Sequence, residues 1–151
     1  MSVASEWHPF LVHFPIALTV SAALLFSIAR FTKRADWAAT LSTVATFNLC
    51  LGAAAVLLAI MSGVAAVVDV DVGEVARQAI TSHVKWAIFT SVALLLLAVW
   101  RGAGTAPASR PSTPFLVILL VASMAIFMTG YRGLQNVFEH GLGVELTAPK
   151  K

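Results

Sequence analysis

The chain has 151 residues, enough by length for one ordinary domain, yet 59% of them are hydrophobic and only 11% are charged. With a mean hydropathy of +0.88, it is neither a water-soluble globule, which carries about 25% charged residues, nor a disordered chain, which is poor in apolar residues. A formal charge of +3, scattered along the sequence, excludes a nucleic-acid surface, and the single Cys50 excludes a disulfide framework or a cysteine-based metal cluster.

What remains is an integral membrane protein. A spanning helix needs roughly 20 predominantly apolar residues, and four segments qualify. The first is expected over 9–30, opening on Pro9, with His13 as its one ionisable interruption. The second lies in the charge-free stretch 37–68. It carries Ala55, Ala59 and Gly63 four residues apart, a small-residue seam suited to close packing in lipid. The polar stretch Asp69 to Gln78 is expected as a loop, followed by a third helix over 79–101 with His83 and Lys85 in its first turns. Gly102, Gly104, Pro107 and Pro111 mark the next loop. The fourth helix is expected over 114–140, with Pro114 in its first turn and Gly141 as its C-terminal cap. The fold class is therefore all-α, an integral membrane four-helix bundle forming one domain over 1–151, with no period-two strand pattern and no clear internal repeat.

The start of the chain lacks the basic leader of a cleaved signal peptide. Arg30, Lys33 and Arg34 follow helix 1, and Arg101 and Arg110 follow helix 3, whereas Glu6, Asp69, Asp71, Glu74, Glu139 and Glu145 fall at the opposite ends. Basic residues in short loops mark the cytoplasmic side, so both termini are expected to be extracytoplasmic.

That topology puts all four histidines, His8, His13, His83 and His140, on the outer side, from three different helices. Ionisable side chains at membrane depth usually face the bundle interior and have a partner. A neutral imidazole is also a good ligand for a transition metal or haem iron. His8 and His13 are five residues apart, about 140° around an ideal helix, a spacing better suited to two separate partners than to one compact metal. Each histidine also has a plainer reading: His8 and His83 as interfacial residues, His13 satisfied by a backbone carbonyl or by Asn48, His140 complementing a helix C-terminus.

Lys85 and Arg132, near the outer interface, are candidates to bind anionic groups such as haem propionates, with Arg77 assisting from the loop. Met61, Met124 and Met128 are candidate thioether ligands or core filler. Glu139, Asp69 and Asp71 are candidate acceptors that orient histidines. Cys50 is expected to be a buried, inert thiol, and Trp7, Phe10, Phe14, Trp86 and Phe138 to line a porphyrin pocket or an interfacial belt.

The stretch WHPFLVHFPIAL, residues 7–18, resembles the start of a bacterial family of small four-helix membrane proteins of unknown function, with the signature His-Pro-x-x-Val-His-Phe-Pro. His83 and the tail His140, Gly141, Gly143 and Val144 extend the resemblance over essentially the whole chain. It implies the same fold, a location in the bacterial inner membrane, and the same histidines as site residues.

The leading functional expectation is a small b-type cytochrome. One or two haem b groups would be held by histidine pairs near the outer face, passing electrons from quinol or a membrane dehydrogenase to an outer acceptor. The others are a zinc or copper module built from converging imidazoles, and a non-catalytic subunit of a larger respiratory complex or homo-oligomer. A four-helix chain without an inverted repeat puts a transporter last. No sequence motif supports hydrolysis or ATP-driven pumping.

Overall fold

A computed structural model of the protein describes residues 3–68 and 73–142. Within them lie five helices: α1 (Val3–Leu11), α2 (His13–Phe31), α3 (Ala35–Val68), α4 (Glu74–Gly104) and α5 (Thr113–Phe138). They contain four apolar stretches long enough to cross a membrane: Trp7–Phe31, Ala35–Val68, Glu74–Gly104 and Thr113–Phe138. Asp69, Asp71, Gly143, Val144 and Glu145 lie outside the described residues, as does the side chain of Glu6.

The first span is interrupted at Val12, where α1 gives way to α2. Pro15 has no N–H for the Leu11 carbonyl, and its ring crowds that carbonyl. The ladder loosens on either side, with Val12 N–H to the His8 carbonyl at 3.2 Å and Ile16 N–H to the Val12 carbonyl at 3.4 Å. Pro9, expected to open the helix, lies inside α1.

Helix α4 begins at Glu74, ahead of the expected residue 79. Gly73 is its N-cap, and an acidic residue in the first turn favours the helix. The Ala, Arg and Gln that follow are good helix formers, so low hydropathy there marked the membrane boundary and not the helix end. Helix α5 is capped by Ser112, whose side chain accepts the Phe115 N–H at 3.4 Å. It closes on Gly141 at φ +63°, whose N–H donates to the Val137 carbonyl at 3.0 Å.

The helices form two hairpins, α1/α2 with α3 and α4 with α5, closed into a bundle by α3 against α4 and α2 against α5, while α1 packs on α3. The two halves of the bundle differ. Toward the arginine-bearing end the core is dense, with Phe26, Leu49, Leu94, Leu97 and Leu119 fully enclosed and Phe26 meeting Phe115 edge-on at 5.3 Å. Gly52 lets α3 approach α2 closely; a Cβ there would lie 3.3 Å from the Leu18 Cβ.

Arg101 ties this dense end together. It is 2% exposed, and its guanidinium lies 4.9 Å from the centre of the Phe26 ring. Its donors are met by hydroxyl oxygens of Thr46 (3.1 Å), Thr105 (3.1 Å) and Ser109 (3.2 Å), by the Pro107 carbonyl (3.0 Å) and by the Ser109 carbonyl. One side chain thus fastens the α4–α5 loop to α3. Arg110 adds a second clasp, donating to the Ala29 carbonyl at 2.6 Å at the end of α2. Arg101→Met is expected to lower stability by about 2–4 kcal/mol, since it strands several acceptors of a charged donor at once. Arg101→Lys should recover less than half, lacking the planar fork. SDS titration of purified protein would measure both.

Candidate functional site

Toward the histidine end the core opens into a cavity of about 420 Å³ lined by all four spans. His8 and His83 enter it from opposite walls, their ring centres 6.4 Å apart and their planes at 85°.

Each ring is seated in the same way. Backbone carbonyls are acceptors only, so in both cases the imidazole Nδ1 carries the proton. His83 donates Nδ1–H to the Thr129 carbonyl at 3.1 Å. His8 shares its Nδ1–H between the Ala59 carbonyl (3.1 Å) and the Ser62 hydroxyl oxygen (3.0 Å), and Ser62 itself donates to the Ala59 carbonyl. Both Nε2 atoms, as neutral imidazoles, therefore offer a lone pair. This is the arrangement of metal-ligating histidines, whose second nitrogen is held by an outer acceptor that fixes tautomer and orientation.

A helical side chain covers the turn preceding its own Cα, so residue i+4 shields the carbonyl of residue i. Four residues after Ala59 stands Gly63, and four after Thr129 stands Gly133. A Cβ at Gly63 would come within 2.9 Å of His8 Cε1, and one at Gly133 within 3.3 Å of His83 Cε1. Glycine at these two places uncovers the carbonyl and makes room for the imidazole edge.

The correspondence extends along the walls. His8, Val12, Pro15 and Ile16 match His83, Ala87, Thr90 and Ser91 at a constant offset of 75 residues, and all eight line the cavity. Val56, Ala59, Ile60 and Gly63 match Ile126, Thr129, Gly130 and Gly133 at an offset of 70. The site is thus built by two structurally equivalent hairpins running in the same direction, a repeat that the sequence alone does not display. Below His83, Thr90 donates to the Thr129 hydroxyl at 3.0 Å, and Thr129 donates to the Ala125 carbonyl at 2.9 Å.

The other candidates fall elsewhere. His13 also borders the cavity, but at its rim, exposed, with Nδ1–H donated to the Pro9 carbonyl at 2.6 Å. Asn48, considered as its partner, instead donates to the Ser21 hydroxyl at 2.9 Å. His140 lies in a separate 110 Å³ pocket between α4 and α5, with Ser82, Arg132, Gln135, Asn136 and Glu139. There Arg132 donates to Gln135 and Gln135 to Glu139, each at 3.1 Å. Lys85 and Arg77 are exposed, and neither they nor Arg132 border the large cavity.

Among the methionines considered, Met61 and Met124 are about 70% exposed and Met128 also faces outward. Cys50, expected to be buried, is exposed on α3. Of the aromatics, only Phe138 borders the cavity; Trp7, Phe10 and Phe14 pair edge-on along the outer surface, as do Trp86 and Phe89. They suit an interfacial belt. Among the described residues no group of three His, Cys, Asp or Glu side chains is gathered as a metal cage. The residues that sequence reasoning missed are the acceptors and notches: Ala59, Ser62, Gly63, Thr129 and Gly133. Their signal was the small-residue spacing, visible at Ala59 and Gly63 but read as ordinary packing.

Comparison with curated proteins finds no match, and neither does comparison with solved structures. Residues 5–146 match the family described as "Predicted membrane protein (DUF2231)", and the chain, matched over nearly its whole length, belongs to that family.

Proposed function

We propose that this protein is a small b-type membrane cytochrome that holds one haem between His8 and His83. The observation that carries this reading is the geometry of the two rings. A metal–imidazole bond of about 2 Å, with about 1 Å more from nitrogen to ring centre, puts the ring centres of a trans bis-imidazole metal roughly 6 Å apart. His8 and His83 stand 6.4 Å apart, each with Nε2 free of the backbone bond made by Nδ1. Haem iron, already held by its porphyrin, would need only one or two ligands from the protein, and one pair of imidazoles is what the cavity offers. Tetrahedral zinc asks for three or four protein ligands at a structural or catalytic site, and the rim position of His13 and the separate pocket of His140 favour it less.

When bound, the haem supplies one-electron redox chemistry. The protein's own residues hold and tune the site. The carbonyls of Ala59 and Thr129 fix the tautomer and orientation of the two imidazoles. The aliphatic part of the lining, with Val12, Ile16, Val56, Ile60, Ile126 and Val137, would limit water at the iron and so tune its potential. Arg30, Lys33, Arg34 and Arg110 at the opposite end support an outward-facing histidine end. The protein then works at the outer leaflet of the bacterial inner membrane, between a lipid-soluble donor or membrane dehydrogenase and an outer acceptor. The His-Pro-x-x-Val-His-Phe-Pro stretch is, on this reading, the signature of one axial ligand, His8, and one rim residue, His13.

Purified protein reduced with dithionite is expected to show the sharp visible bands of low-spin haem; a colourless preparation reconstituted with haemin that still shows none would overturn the proposal. His8→Ala and His83→Ala should each abolish that spectrum, while His13→Ala and His140→Ala should leave it low-spin. Gly63→Ala should reduce haem affinity by about 10-fold or more, as loss of outer support for a ligand does. Gly133→Ala should cost less, its added methyl meeting His83 at 3.3 Å and not 2.9 Å. Haem titration of the apoproteins, read by absorbance, would rank the two.

A further inference from the structure

Charge of one sign gathers at the closed end of the bundle. Arg30, Lys33, Arg34, Arg101 and Arg110 lie there, and Asp36 is the sole acidic residue between Glu6 and Asp69 or between Glu74 and Glu139. Asp36 is already taken. It pairs with Arg34 at 3.1 Å, the one ion pair among the described residues, and the same guanidinium lies 5.0 Å from the centre of the Trp37 ring. Arg101 meets only neutral oxygens, so its hydrogen bonds are satisfied while its charge is not cancelled. A charge held out of water costs least with a counter-ion close by, and the chain supplies none here.

Two of the other cations are drawn to the junction of α2 with α5. Arg110 donates from Nη1 to the Ala29 carbonyl at 2.6 Å and to the Arg30 carbonyl at 3.3 Å. Arg30 donates from Nη2 to the Thr113 hydroxyl oxygen at 3.3 Å. One arginine thus reaches back to the end of α2, and the other reaches across to the start of α5. Both residues are exposed. A guanidinium has five N–H donors, so each keeps donors that nothing in the described chain accepts. Arg30 is the residue before the end of the apolar span Trp7–Phe31, at the edge of the hydrocarbon. Phe31 is 79% exposed, and Val117, one turn below Thr113 on the same face of α5, is 52% exposed. The pair of arginines therefore borders apolar surface open to acyl chains.

We infer that the junction of α2 with α5 is a binding site for an acidic glycerophospholipid, its phosphate held by Arg30 and Arg110. Water satisfies exposed donors but cancels no charge, and it leaves Arg30, Arg110 and the enclosed Arg101 to repel one another. A zwitterionic headgroup brings its own ammonium into the same positive field. A headgroup of net negative charge neutralises the corner while its acyl chains cover the apolar surface beside it, as acidic lipids do at basic clefts between spanning helices. The site is separate from the histidine cavity at the other end and does not depend on what that cavity holds.

The test is lipid titration of the purified full chain in a neutral detergent, read by native mass spectrometry. The probes are phosphatidylglycerol and phosphatidylethanolamine with the same acyl chains. Phosphatidylglycerol is expected to bind saturably and the more tightly of the two. Arg30→Gln and Arg110→Gln should each weaken it about five-fold, the scale of one basic residue at an anionic lipid surface. Arg34→Gln lowers the net charge by the same amount, but that charge is already matched by Asp36, so the affinity should hardly change. Excess inorganic phosphate, which lacks acyl chains, should not displace the lipid. Arg30 makes a single long bond to an exposed hydroxyl, so Arg30→Gln is expected to fold, as thermal unfolding without lipid will check, and it keeps the test decisive if Arg110→Gln does not. Equal affinity for the two lipids, no loss in Arg30→Gln, an equal loss in Arg34→Gln, or displacement by phosphate would each overturn the inference.

Discussion

A hydrogen bond from an imidazole Nδ1–H to the backbone carbonyl of a neighbouring helix is the interaction on which the site depends. In a helix each carbonyl already accepts from the residue four ahead, yet its oxygen keeps a second lone pair. That lone pair is normally hidden beneath the side chain of the same residue four ahead. At Ala59 and Thr129 that residue is glycine, and the carbonyl becomes a usable acceptor for His8 and His83. In the low dielectric of a bilayer such a bond is strong and its absence expensive. The rings are therefore held firmly before any ligand arrives. Pre-formed orientation of this kind reduces the ordering cost of binding.

The unequal packing of the bundle follows from that demand. A cavity of about 420 Å³ in a chain of this size removes packing from half the core, and in lipid packing is a principal force between helices. The opposite half compensates. Its rings and leucines are closely packed, Gly52 draws α3 against α2, and Arg101 gathers hydroxyls and carbonyls from α3 and the loop after α4. A buried guanidinium is costly when unpaired, but here its donors meet neutral acceptors and its face meets Phe26. The closed end acts as a clamp that holds the open end apart.

The four spans were legible because hydropathy over about 20 residues is a sum, insensitive to any one side chain. The caps at Pro114 and Gly141 were legible because they depend on local chemistry. Helix α4's early start was not, since Glu74 to Gln78 is polar and hydropathy reports the membrane and not the helix. For the site, the histidine residue types were visible but their pairing was not. The five-residue spacing of His8 and His13 suggested two separate partners, and it takes three dimensions to see that His83 is the ring beside His8. The repeat escaped because it resides in backbone carbonyls and glycines, with walls that share size and position more than identity: Pro15 answers Thr90, and Val56 answers Ile126. Cys50 was misplaced because in a membrane an apolar side chain gains as much facing lipid as facing the core.

Two equivalent hairpins would by themselves produce a site with equivalent faces, suited to a ligand seated on the axis between them. Direction requires that the symmetry break, and the break falls at Pro9 and Pro15. Pro15 interrupts the first span at Val12, and the Pro9 carbonyl takes up the side chain of His13. The second hairpin has no proline inside α4 or α5 beyond the first turn of α5, and its corresponding helix α4 stays continuous. The first hairpin thus has a break and a seated His13 where the second has an unbroken helix and Ile88. The paired histidines and their glycines make the two walls of the cavity alike; the prolines of one hairpin make its rim unlike the other.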